Sequence, residues 1–292
     1  MRALIIWALL IVALPAQAEP IKQELVLGFV PSRNVHEIQV SSEKIADYLS
    51  TKTGYKIRSI TLSNYAAVAV AMKSQRVDLA FVGPLSYLVI REHTGAYPIT
   101  AAVRQGKKGY EGLIITAADS GVDSLADLRG KTMAFADALS ASGNLYPKSM
   151  LLDAGIDPGS ELRSIIVSSQ SAIVMSVLKG KVQAGAVYDD ARLNPEVVRY
   201  FPDVLDKTKV IARTRLIPAD PQIVHPQLAP AQVQKLKDAL LQMAADPKAK
   251  VWLKELYGIE GLDAASHEEY AELHDVVRKV NPALLKGDGA QL

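Results

Sequence analysis

From residue 24 onward, short β-type runs alternate with helical periodicity, and that alternation restricts the chain to an α/β architecture. The first set of apolar runs falls at 24–30, 56–62, 77–82, 99–104 and 112–117. Helical spacing lies between them. Over 41–53, Ile45, Tyr48 and Leu49 recur at intervals of three and four, and Gly54 supplies a stop. Residues 65–74 form a second helical stretch, and Pro84 opens a third over 84–91. A second set follows, with strands expected at 131–136, 162–167 and 182–188 and helices at 124–129, 144–154 and 171–178. A strand over 207–212 leads back toward the first half, and the tail reads as helices over 231–245, 247–257 and 266–280. Such alternation predicts mixed, mostly parallel sheets covered on both faces. Strand-like segments near 114–118 and 209–213 give two crossings, hence two lobes joined at a hinge. The expected division is 19–116 for the first part of lobe 1, 117–211 for lobe 2, and 212–292 for the return to lobe 1 with its C-terminal helices.

Residues 1–18 are a different kind of sequence. Arg2 supplies a positive start, residues 3–14 are an unbroken apolar run, and Pro15-Ala16-Gln17-Ala18 gives small residues at a cleavage position. This is the pattern of a secretory signal peptide cut after Ala18. The run is shorter than the roughly 20 residues of a membrane-spanning helix, so no membrane insertion is expected after cleavage. The expected location is periplasmic. The chain contains no cysteine, which removes disulfides, thiolate chemistry and Cys metal sites. Its 33 Lys+Arg against 31 Asp+Glu give a net charge of +2 without a basic block, so nucleic acid is not an expected partner.

Signatures of catalysis are missing. The chain has no GxSxG elbow, no HExxH and no GxxxxGK[ST] loop. His36, His93, His225, His267 and His274 form no ligand spacing for a metal; the cluster of His267 with Glu268 and Glu269 reads as a solvated helix start. No enzyme activity, metal or cofactor is expected. The most informative segment runs over 135–147, FADALSASGNLYP. A buried strand ends near Asp137, a small hydroxyl-bearing loop follows, and a helix begins at about Gly143. Helix starts present unpaired N–H groups and partial positive charge, and Ser140 and Ser142 add hydroxyls. Read alone, the same residues also fit a simple helix cap. The loops at Asn64-Tyr65 and Gly83-Pro84 lie at the carboxyl edge of a sheet, where open α/β sheets bind ligands. Tyr65 is either a phenol donor there or a ring packed beneath the loop.

Five further segments join Tyr65-Ala-Ala in order and spacing: Val77-Asp-Leu-Ala, Gly83-Pro-Leu-Ser-Tyr, Gly109-Tyr-Glu-Gly-Leu-Ile-Ile, Ser140-Ala-Ser-Gly-Asn-Leu-Tyr-Pro and Leu216-Ile-Pro-Ala-Asp-Pro. This ordered set resembles the substrate-binding proteins of phosphonate, phosphite and phosphate ABC transporters. The resemblance implies a type II periplasmic binding protein fold with two lobes, two crossover strands and a ligand in the cleft. It implies that Ser140, Ala141 and Ser142 hold the oxyanion, with Tyr65 and Tyr110 reaching it from lobe 1. Gln170 stands where the family carries an anion-binding His, and Ala141 where it carries Thr. Asp190 and Asp220 match the acidic groups that receive an amino tail; Arg33, in the loop after the first strand, is a further candidate or a surface residue. The expected ligand is a small tetrahedral oxyanion: phosphate, phosphite, a phosphonate or an analogue such as arsenate. The expected partner is the permease of an ABC transporter, with a sensor histidine kinase as the alternative.

Overall fold

The computed structural model describes residues 21–32, 35–167, 169–189 and 191–285. The expected leader over 1–18 and two candidate site residues, Arg33 and Asp190, lie outside the described residues. The chain first forms strands β1 (Glu24–Phe29), β2 (Lys56–Thr61), β3 (Leu79–Phe81), β4 (Tyr97–Val103) and β5 (Gly109–Tyr110). It then adds β6 (Gly112–Ala117), β7 (Thr132–Phe135), β8 (Arg163–Ile166), β9 (Ala184–Tyr188) and β10 (Thr208–Arg213). It ends with β11 (Ile217–Pro218), β12 (Pro221–Val224) and β13 (Gly261–Ala264). Helices α1 (Val35–Thr53), α2 (Tyr65–Lys73) and α3 (Pro84–Thr94) belong to the first half. Helices α4 (Tyr146–Asp153), α5 (Gln170–Leu178), α6 (Pro195–Tyr200) and α7 (Val204–Lys207) follow in the second. The tail holds α8 (Pro230–Ala245), α9 (Lys250–Tyr257) and α10 (Leu273–Val280).

One sheet has the order β13-β4-β12-β3-β1-β2, the other β10-β6-β9-β7-β8, and β11 pairs with β5 in a short ribbon. Pairing is parallel among β1, β2 and β3 and among β7, β8 and β9. It is antiparallel where β12 and β13 enter the first sheet and where β6 and β10 enter the second. The passages between the sheets are β6 and β10, which pair with each other from Thr208↔Ala117 to Arg213↔Leu113. Side chains alternate along β6: Leu113 and Ile115 join one apolar cluster and Ile114 the other, so both faces of the second sheet are covered. In the first sheet Asp78, nearly fully buried, accepts the Val26 amide at 2.8 Å and Lys22 Nζ at 2.7 Å, a structural tie between β3 and β1.

Several elements differ from the sequence expectation. The helix expected from residue 41 already runs from Val35, and Ile38 in that extra turn is buried in the core. The helix expected over 124–129 is a single 3-10 turn, Ala126–Leu128. The tail is not all helix: β13 extends the first sheet beside β4. Strand β12 was unexpected, since Pro221 opens it, yet it sits centrally between β3 and β4. The helix expected from Gly143 starts as a wide π-type turn, Ala141–Leu145, before α4 continues it. Such turns recur at functional sites.

That turn is pressed onto the end of β7. The Ala136 amide donates to Gly143 O at 2.8 Å, and Asn144 Nδ2 donates to Ala136 O at 2.9 Å. A Cβ on residue 143 would sit 2.5 Å from Ala136 Cβ and 3.1 Å from Ser140 Oγ. Gly112 on β6 backs the other side, with a Cβ position 2.9 Å from Ser142 O. Only residues without a side chain allow this approach. Gly143→Ala is expected to cost about 1–3 kcal/mol by overpacking. Urea unfolding with unchanged slope and a lowered midpoint is the expected reading; an unshifted midpoint would mean the turn relaxes freely.

Candidate functional site

The carboxyl ends of both sheets face one cavity of about 80 Å³. From lobe 2 the cavity receives Ser140, Ala141 and Ser142 of the turn after β7, then Gln170, the first residue of α5. From lobe 1 it receives Tyr65, the first residue of α2, and Tyr110 on β5. Asp220, between β11 and β12, lines it as well. The structure therefore brings together every described member of the expected set.

The chemistry of the turn follows from which groups are already paired. The Ser140 amide donates to Asp137 O at 2.8 Å, and the Gly143 amide to Ser140 Oγ at 3.2 Å. Among the described residues no acceptor meets the amides of Ala141 or Ser142, although both residues are nearly fully buried. Buried amides without a partner are rare and costly. Two adjacent ones at a helix start, lining a cavity, form an oxyanion cradle.

Gln170 sets the direction of the two hydroxyls. The Tyr188 amide donates to Gln170 Oε1 at 2.6 Å, which fixes the side-chain orientation and turns Nε2 toward the serines. Nε2 lies 3.4 Å from both Ser140 Oγ and Ser142 Oγ. A hydroxyl has one proton and two lone pairs. Ser140 Oγ accepts from Gly143 and Gln170, so its own proton is left to donate. The Ser142 hydroxyl also acts on Tyr110 from across the cleft, drawing the phenol down slightly against the effect of burial. Gln170 thus braces both hydroxyl oxygens while lining the cavity itself.

Both cleft phenols are held neutral. Burial pushes Tyr65 well above the ordinary phenol range, and the Asp220, Asp137 and Tyr188 groups add to it. Burial and the Asp220 carboxylate raise Tyr110, against the pull of Arg104. Each therefore remains an O–H donor at any physiological pH.

The cleft also holds residues that the sequence pattern did not flag. Arg104, at the exit of β4, lines the cavity and donates to Asp220 Oδ2 at 2.7 Å. Burial pulls its guanidinium down, but Asp220 outweighs that and holds it above its usual range. The signal was a lone arginine at the carboxyl end of an apolar strand, the edge where ligands bind. Asp189, in the turn after β9, also lines the cavity. Among the described residues no group of three or more His, Asp or Glu is placed to hold a metal ion. Among them, too, no helix is long and apolar enough to cross a membrane.

The match to known proteins covers most of the chain. The family model for the periplasmic phosphonate substrate-binding proteins of ABC transporters matches residues 27–270. The phosphate-import protein PhnD of Mycolicibacterium smegmatis is 25% identical over 238 residues, covering 78% of this chain and 74% of that protein. The phosphonates-binding periplasmic protein of Escherichia coli is 25% identical over 248 residues, covering 83% and 72%. The solved structure of PhnD1 from Prochlorococcus marinus, in complex with methylphosphonate, superposes with a TM-score of 0.78 at 19% identity, covering 89% and 99%.

The buried phenols set an alkaline limit. Burial pushes Tyr87 and Tyr146 up to about 12, and it raises Tyr65, Tyr110 and Tyr270 as well. In an unfolded chain phenols ionise near 10. Above pH 10 the unfolded state therefore binds fewer protons than the folded one, and stability falls as pH rises. The urea midpoint should drop steadily from pH 10 to 12, with Tyr65→Phe showing a shallower fall. A midpoint that stays level over that range would contradict the assigned burial.

Proposed function

The chain belongs to the family of periplasmic phosphonate substrate-binding proteins of ABC transporters, and from that premise we propose that it captures a compact tetrahedral oxyanion between its lobes. The reading is carried by one observation: the unmet amides of Ala141 and Ser142, set beside two serine hydroxyls aimed by Gln170. Lobe 2 supplies these donors. Tyr65 and Tyr110 supply phenol protons from lobe 1. Only the closed form makes both sets of contacts, so ligand binding shifts the population toward closure. The closed form then docks on a permease, which releases the ligand to the membrane channel. The family match favours that partner over a sensor kinase. No bond is broken in this cycle, so no catalytic group is required.

The candidate ligands are phosphate, phosphite, a short phosphonate and arsenate. These anions present three or four oxygens, which matches a cradle of two amides, two hydroxyls and two phenols. The test is thermal unfolding with that panel, with sulfate and acetate for comparison. A bound ligand at 100 times its Kd adds about 2.7 kcal/mol of stability. At least one phosphorus oxyanion should raise the midpoint while acetate leaves it in place. A panel without any shift would sink the assignment.

The role of Gln170 gives a sharper expectation. Gln170→Glu keeps the shape but offers only acceptors, so both serine protons turn toward it and away from the cleft. The added charge also repels the anion. Affinity should fall by about 100-fold in titration calorimetry, with the fold intact by circular dichroism. Unchanged affinity would remove Gln170 from the machinery.

A further inference from the structure

The lobe 1 wall of the cleft carries a built-in ion pair. Arg104 Nη2 donates to Asp220 Oδ2 at 2.7 Å, and the two side chains are only 17% and 23% exposed. Both line the cavity. The arginine is fixed at other points as well. Its Nε and Nη2 donate to the Tyr257 carbonyl at 3.2 and 3.1 Å, and its guanidinium carbon lies 5.8 Å from the centre of the Tyr110 ring. No acceptor among the described residues meets Nη1. Residue 104 leaves β4 and residue 220 enters β12, adjacent strands paired at Pro221↔Ala101. The pair therefore belongs to a single lobe and forms before any closure.

This placement changes what Asp220 can do. A carboxylate that is to receive an ammonium group must be open on the ligand side. Here it is already neutralised by a cation that is anchored to the backbone. Asp189, the other carboxylate lining the cavity among the described residues, also has a partner of its own. An incoming ammonium would have to share Asp220 with Arg104, and like charges in a dry cleft repel. A methyl, hydrogen or hydroxyl at that end meets no such penalty.

We infer that Arg104 is a specificity-determining residue that, by occupying Asp220, excludes oxyanions with an ammonium tail and leaves the cleft to those without one. The inference rests on the oxyanion reading given above. It assigns the ligand to the tail-free or uncharged-tail class: phosphate, phosphite and short alkylphosphonates.

The test compares 2-aminoethylphosphonate with propylphosphonate, its isostere with a methyl in place of the ammonium, by titration calorimetry. Wild type should bind propylphosphonate more tightly by about tenfold. Arg104→Gln frees Asp220 and should move the ratio toward the amine by about tenfold or more. Asp220→Asn keeps the arginine and its anchor on Tyr257, and should move the ratio further against the amine. Because each ratio is measured within one variant, a general loss of stability cancels. Wild type preferring the amine, or both variants leaving the ratio unchanged, overturns the inference. Methylphosphonate, phosphite and phosphate serve as the control for the underlying reading. If wild type binds none of them, the oxyanion site itself has failed; if it binds them without the predicted ratios, only the role of Arg104 has.

Discussion

Two neighbouring amides, those of Ala141 and Ser142, are left without a protein acceptor, and much of the architecture serves to keep them so. A chain in water would pair or solvate them. Here they are buried, and their neighbours are spoken for: Ser140 donates to Asp137 and Gly143 to Ser140 Oγ. The wide turn is what separates these fates. Its 141-to-146 closure, with the Tyr146 amide on Ala141 O, spaces the first amides away from the following helix. Gly143 lets the turn lie directly on Ala136, and Gly112 lets the crossover strand come up behind Ser142. Unsatisfied polarity of this kind is retained at a cost that a bound anion offsets.

The same economy of donors governs the helix opposite. Gln170 begins α5, whose cap is the Ser169 hydroxyl accepting from Ala172. The helix is drawn tightly onto β9, since a Cβ on Gly185 would come within 2.4 Å of Ile173 Cγ2. That tight fit puts Gln170 within reach of the Tyr188 amide. A position where the resemblance led us to expect a His thus holds a neutral amide that contacts both serine hydroxyls. A cation in the cleft comes instead from lobe 1, through Arg104, although its charge is shared with Asp220.

The α/β alternation, the carboxyl-edge loops and the turn at 140–143 were legible in the sequence because their signals are local: apolar runs, Gly and Pro stops, small hydroxyl residues. What was not legible depends on tertiary pairing. Strand β12 begins with proline and has four residues; its identity comes from β3 and β4 on either side. Arg104 gains chemical meaning only when strand neighbours bring it to Asp220, 116 positions away. The acidic residue that lines the cavity after β9 is Asp189, one position from the expected Asp190, which lies outside the described residues.

The anion turn is also a piece of the lobe 1 interior. Leu139, Ala141, Leu145 and Tyr146 belong to the same apolar cluster as Tyr270, Leu273, Val276 and Val277 of the C-terminal segment. Ser86 on α3 adds a hydroxyl bond to Leu139 O, and Lys279 reaches across to Asp153 and Ser149 O. Parting the lobes would wet these side chains, at about 25 cal/mol for each Å² of apolar surface. Apolar contact therefore ties the anion turn to the C-terminal segment. Cooling weakens that contact, so this tie should loosen in the cold and tighten on warming.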